Sequence, residues 1–492
     1  MTRALFLPLL SMISLPLACL AHVGSPDVYY EGNAGPYRLF VTVRTPAMIP
    51  GIAAIEVRSL DGHVTGINIA PSRILGEGST NAPPPDHMDR SSTDPDYFTG
   101  RLWLMASGTY QVRMEVFGAG GQAQMAVPIA AAARSTLPIE RALGALLLGL
   151  MAVLSVALVA ILGAAARESQ LEPGTVPSPA ELRWGRVAMA VTAAAILLIL
   201  FFGNWWWNAA AAVRKDLMLY KRPPVEVSLA NGNTLVLKMG FSVWHDRRKA
   251  LLLDKIIPDH GHLMHVFLLR LPEMDRFYHL HPDRTGQDLF SEELPSVSQG
   301  DYQVFADVVR ESGFADTMTA QITLPEVSGQ AWSGDDSATS PTPITSAEQK
   351  TTAAFEDGGN AEWMMGGQAI RAQTPMLLRF RVLDQAGKPV TDLEPYMGMA
   401  GHLVVVKKDL SVFSHVHPSG SVPMAAIRLL QGSGAGSGDA MGSMPGMREA
   451  ALPWEITFPY GFPQPGKYRL FVQVKRRGRI ETAVFDTSVV AP

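Results

Sequence analysis

Eight of the chain's 12 histidines fall in two short stretches that follow one plan. The first runs Gly261-His262-Leu263-Met264-His265, an apolar stretch, a short turn and His279-Leu280-His281-Pro282, with His260 just ahead of it. The second runs Gly401-His402-Leu403, an apolar stretch, a short turn and His415-Val416-His417-Pro418. Alternate residues of a β-strand project from one face, so His279 and His281 form a pair, and so do His415 and His417. An antiparallel strand joined by a short turn sets its own histidine within cross-strand reach of such a pair. Three imidazoles converging on one point are a ligand set for copper or zinc. In the second stretch the expected set is His402, His415 and His417. In the first it is His279 and His281 with either His262 or His265, which point to opposite faces of a regular strand. The competing reading is structural: such histidines also serve as solvent-facing polar residues or as hydrogen-bonding groups beside a proline-bounded turn.

Sulfur bears on the choice of metal. Most of the 23 methionines read as ordinary packing. Met441, Met444 and Met447 differ, because they are spaced by three in a Gly-rich stretch with no core to fill. Thioethers are soft ligands that select Cu(I) over zinc. Met364, Met365, Met397 and Met399 add sulfur nearby in sequence. Copper is the expected metal and zinc the alternative. His22 is a further candidate. Cleavage after Ala21 would leave its amine and imidazole free to chelate one copper ion, with His63, His87 and Met88 to complete the set.

Several chemistries are excluded. The single cysteine, Cys19, lies in the segment read as a removable signal. Without it there are no disulfides, thiolate zinc sites, iron–sulfur clusters or blue-copper sites. The sequence has no Gly-x-Ser-x-Gly elbow, no phosphate-binding loop ending in Lys-Ser/Thr and no His-Glu-x-x-His. The expectation is a protein that is not an enzyme, with a copper enzyme built on His22 as the minor alternative. A net charge of −4 is no electrostatic match for nucleic acid.

The elements that must position these residues read as mainly β. Gly-x-Tyr followed by alternating residues occurs at Gly108-Thr109-Tyr110, Gly300-Asp301-Tyr302 and Gly466-Lys467-Tyr468. Alternation predicts strands, and the tyrosine can tie its hydroxyl back to the entry turn as in immunoglobulin-like sandwiches. Three such β-sandwich domains are expected, at 22–132, 223–325 and 373–492, with 326–360 as a flexible linker rich in small and polar residues. Residues 1–21 read as a signal peptide, basic at Arg3 and then apolar. Two uncharged runs, 142–166 and 187–208, are long enough to span a bilayer. With 167–186 as a cytoplasmic loop, they form a transmembrane hairpin. The sandwich domains then lie on the periplasmic or extracellular side of a bacterial cytoplasmic membrane.

Domain three, through Gly401-His402-Leu403, His415-Val416-His417-Pro418 and Phe462-Pro463-Gln464-Pro465-Gly466-Lys467-Tyr468, resembles exported bacterial β-sandwich domains of the YtkA-like and CopC-like families. Domain two resembles them through Gly261-His262-Leu263 and His279-Leu280-His281-Pro282. Those families include copper-handling members. The resemblance implies a tethered protein that buffers copper or hands it to a partner, and an envelope protein complex is the expected setting. The alternative is a non-catalytic scaffold that displays sandwich domains outside the membrane.

Overall fold

The computed structural model describes residues 27–75, 82–172, 174–240, 256–329, 334–344, 350–367, 369–432 and 452–492, and the backbone of 22–23. The chain is mainly β, with two long helices between the first sandwich unit and the second. Domain one packs a five-stranded sheet on a four-stranded one, which closes with the hairpin Gly108–Gly118/Gly121–Ala131. Its core joins Leu39, Val41 and Ile55 of one sheet to Ile67, Val112 and Val127 of the other. Domain two pairs a four-stranded sheet with a six-stranded one built on the hairpin Gly300–Arg310/Ala315–Leu324. Domain three pairs a four-stranded sheet with a seven-stranded one built on Gly466–Arg476/Arg479–Val490. The tyrosine tie forms in both: Tyr302 and Tyr468 each donate to a carbonyl four residues back, of Ser298 and Gln464, at 2.7 Å.

Domains two and three press their larger sheets together. In each the strand pattern is apolar on both faces, which is how a strand reads when neither face meets water. Along Phe277–Leu280, Tyr278 and Leu280 enter the domain's own core, while Phe277 enters a separate cluster shared with domain three. Along Val412–Val416, Val412 and Val416 face inward and Phe413 joins the same shared cluster. The contacts are reciprocal. Phe277 stacks on Phe471, and Phe305 on Phe413, both with ring centroids 4.0 Å apart. Equivalent positions thus exchange partners, as in a two-fold symmetric dimer, although here both halves belong to one chain.

The segment expected as a linker, 326–360, is instead partly built into the sheets. Ser337–Thr339 extends the domain-two sheet beside Phe277–Leu280. Thr352–Ala354 and Asn360–Trp363 open domain three, so that unit begins near 352 rather than 373. Small and polar residues pair at a sheet edge as readily as they make a linker, so composition misled here. The two helices also differ from the expected spans. They run Arg141–Glu168 and Pro179–Met218, so the connection is shorter than 167–186. The second helix starts early because Ser178 and Glu181 form a capping box, and it carries Arg183 and Arg186 inside its first turns. Both helices are long and apolar enough to cross a membrane, with mean hydropathy 2.9 and 2.3 in their most apolar windows.

Candidate metal centre

The histidines line the seam between domains two and three. His265 opens the strand His265–Leu271, and His402 opens His402–Lys407. Both strands pair antiparallel with the one that leads to the His-x-His pair, Val266 opposite Leu280 and Leu403 opposite Val416. His265 is therefore the counterpart of His402. The shared Gly-His-Leu triplets are three residues out of register with one another. His262 instead closes a tight turn, Asp259-His260-Gly261-His262, with reciprocal backbone bonds of 2.9 and 3.0 Å. Tyr396-Met397-Gly398-Met399 forms the same turn in domain three. In each, two consecutive residues have positive φ, 53° and 92° at His260 and Gly261, 49° and 81° at Met397 and Gly398. Such a turn favours glycine at its second central position. It pushes the first central side chain, His260, outward into domain three.

Two triads result, each with ligand nitrogens within 4.8 Å of one another and every member buried. The first joins His260 of domain two to His402 and His417 of domain three. His260 donates from Nδ1 to the Met397 carbonyl at 3.2 Å, and His417 from Nδ1 to the Val422 carbonyl at 3.2 Å. These bonds fix the tautomers and leave both Nε2 atoms as lone pairs, facing each other at 3.0 Å. Neither nitrogen of His402 has a hydrogen-bond partner. The second triad is His265, His279 and His281. His265 donates from Nε2 to the Asp259 carbonyl at 3.1 Å, and His279 from Nδ1 to Gln473 Oε1 at 2.9 Å. His281 donates from Nδ1 to Asp336 Oδ1 at 2.8 Å. Their free lone pairs are then Nδ1, Nε2 and Nε2, with the first two 3.3 Å apart and His281 Nε2 unpartnered.

Opposed lone pairs repel unless a cation lies between them. Two nitrogens about 2.0–2.1 Å from one tetrahedral ion sit roughly 3.3 Å apart, close to the two separations found here. Electrostatics keep the ligands in the competent form. Burial, reinforced by neighbouring imidazoles, lowers His260 to about 4 and His265 to about 3. Burial likewise lowers His417 to about 3, and His279, His281 and His402 lie well below the usual histidine value. Neutral imidazole is the metal-binding state. The outer partners also match the usual support of a ligating histidine: carbonyls, an amide and, for His281, a carboxylate. Replacing Asp336 with Asn is expected to weaken binding at the second triad by about 10–100-fold, read as a shift in competition against a chelator of known affinity.

Of the remaining candidates, His415 belongs to neither triad. Its ring lies 5.3 Å from both His265 and His402, and its Nδ1 is 3.8 Å from Asp307. The His262 ring lies tilted 4.0 Å from that of His281 and meets Asp335 at 3.5 Å. His63 and His87 are exposed on domain one, and Met88 is buried in its core. The backbone of His22 pairs with Val412, beside the centre, but its side chain lies outside the described residues. Met441, Met444 and Met447 lie outside them too. Met397 contributes its carbonyl and Met399 packs on the domain-one core. The sequence reading singled out neither His260 as a ligand nor Asp336, Gln473 and Asp259 as their supports. A signal for His260 did exist, in the Pro-x-x-Gly spacing shared by Pro258-Asp259-His260-Gly261 and Pro395-Tyr396-Met397-Gly398.

A model of a domain of unknown function, DUF8832, matches residues 353–491, which is domain three. No curated protein matches the sequence. Among solved structures, a tetra-tandem repeat from the extending region of a large adhesion protein aligns at 8% identity and TM-score 0.17, over 90% of this chain and 72% of that one. The D1–D4 ectodomain fragment of ICAM-5 aligns at 6% identity and TM-score 0.15, over 92% and 77%. Salmonella alpha-2-macroglobulin reacted with methylamine aligns at 8% identity and TM-score 0.20, over 94% of this chain and 24% of its own length.

Proposed function

We propose that this chain is a membrane-anchored envelope scaffold whose second and third sandwich domains hold two transition-metal ions between them. Copper is the favoured ion and zinc the alternative. The observation that carries the reading is the convergence of buried imidazole lone pairs whose opposite ring nitrogens, in every triad histidine but His402, are already committed to carbonyls, an amide and a carboxylate. Lone pairs 3.0 Å apart are satisfied without breaking those bonds by a metal ion or by a shared proton, and burial disfavours the proton. The first triad takes ligands from both domains, so an ion there clamps them together. Resident ions of this kind suit a scaffold. Delivery of copper to an envelope partner is the second reading, favoured by His265 and His417 bordering a cavity between the three domains. Two helices long and apolar enough to cross a membrane support an anchored chain, and the signal-like sequence of residues 1–21 supports sandwich domains on its outer side.

The test uses the full chain, purified in detergent and stripped of metal. Titration with Cu(I), Cu(II) and Zn(II) is expected to give two ions per chain for at least one of them. Absence of binding above a variant with His402 and His281 both replaced by Phe would sink the metal reading and leave a metal-free scaffold held by aromatic packing.

A further inference from the structure

We propose that the cavity enclosed by all three sandwich domains is a binding site for a small, mainly apolar molecule bearing a hydroxyl head group. The cavity measures about 570 Å³. That falls within the roughly 300–1,000 Å³ of ordinary small-molecule sites. Its walls are largely apolar, with Ile129 and Ala130 of domain one, Val309 and Phe314 of domain two, and Ala426 of domain three. His415 and Asp307 form one polar end. Nδ1 of His415 and Oδ2 of Asp307 lie 3.8 Å apart, too far to hydrogen-bond each other, and the His415 side chain is only 6% exposed. Neither residue belongs to a metal triad.

A nitrogen and a carboxylate oxygen too far apart to bond, but both within reach of one atom set between them, point to a missing occupant. The occupant must offer a donor and an acceptor on one small group. A hydroxyl does both: it can donate to the Asp307 carboxylate and accept from His415. A carboxylate head would face Asp307 with like charge, and a pure hydrocarbon would leave both atoms unsatisfied. The phenol or alcohol class fits on both counts. Access is short. Arg134 and Ser135 line the cavity and lie just ahead of the helix that starts at Arg141. Tyr220 lines it just beyond the helix that ends at Met218. On the membrane reading, a molecule dissolved in lipid arrives beside this opening.

The test needs no metal, so it stands apart from the metal reading. The metal-free full chain in phosphatidylcholine nanodiscs is titrated calorimetrically with 4-propylphenol and, separately, with propylbenzene, against empty nanodiscs. Saturable binding of the phenol is expected, at least about tenfold tighter than propylbenzene. Asp307→Asn with His415→Phe should erase that preference. Ala130→Trp, which fills the cavity from domain one, should abolish both. Ala426→Trp fills it from domain three and serves where the first variant is unstable. No saturable binding of the phenol, equal affinity for the two probes, or affinity unchanged by both tryptophan variants would overturn the proposal.

Discussion

Replacing His260 with Ala is expected to remove one of two metal ions from the full chain, although the other two ligands of that site lie in a different domain. His402 and His417 alone are a two-coordinate remnant, and the Val422 carbonyl that orients His417 cannot supply the missing nitrogen. Affinity at that site should fall by at least about 100-fold, at or beyond the largest effect of losing a mere supporting partner. His415→Ala is the contrasting variant. It removes the histidine that sequence spacing groups with His402 and His417 but that contacts both triads from the side. It should keep both ions. Metal content after dialysis, measured for the two variants side by side, separates an interdomain site from one contained in domain three. Retention of two ions by His260→Ala with loss of one by His415→Ala would reverse the assignment. The metal should also couple the domains, so that the wild-type protein shows one thermal transition for domains two and three when loaded.

That contrast marks what the sequence carries and what it hides. Strand alternation, the Gly-x-Tyr entries and the long apolar runs report local periodicity, and local periodicity is legible. The two strand–turn–strand histidine units were visible for the same reason. Their assembly was not, because it depends on which face of each sheet meets the other domain. Phe277 and Phe413 sit two residues before His279 and His415 on the same strand faces, and their stacking on Phe471 and Phe305 is what brings the two histidine units together. Nothing in a single strand's pattern says that its outward face will meet a partner sheet rather than water. The choice between His262 and His265 turned on backbone conformation: a turn with two positive φ values takes His262 off the strand. Asp336 was hidden by its surroundings, since a Ser- and Asp-rich stretch reads as a linker until its carboxylate is seen to accept from His281.

Acid should unfold the metal-free protein steeply, and metal should protect it. Seven histidines, 260, 265, 279, 281, 402, 415 and 417, have folded pKa values lowered by burial. An unfolded histidine titrates near 6.5. Below that value the unfolded chain binds protons that the native centre refuses, so stability falls as pH drops. The fall continues until pH reaches the folded values, about 4 for His260 and about 3 for His265 and His417. Above pH 7 the histidines contribute no slope. Buried acids work in the opposite direction. Burial raises Asp307 to about 7, Asp336 to about 6 and Glu292 to about 8. Each takes up a proton on the folded side first, which relieves strain as pH falls. The histidines outnumber them, and the net loss between pH 6 and 5 should be on the order of 4–5 kcal/mol per pH unit, equal to about three to four protons. Urea unfolding of the metal-free chain at half-unit steps from pH 7.5 to 4.5 reads this directly. A flat profile would mean that water reaches the centre and the imidazoles titrate freely. With ions bound, each proton must first displace a metal from its ligand, so the same decline should begin at lower pH and be accompanied by metal release. Loss of stability and loss of metal at a common midpoint ties the domain seam to the ions that occupy it.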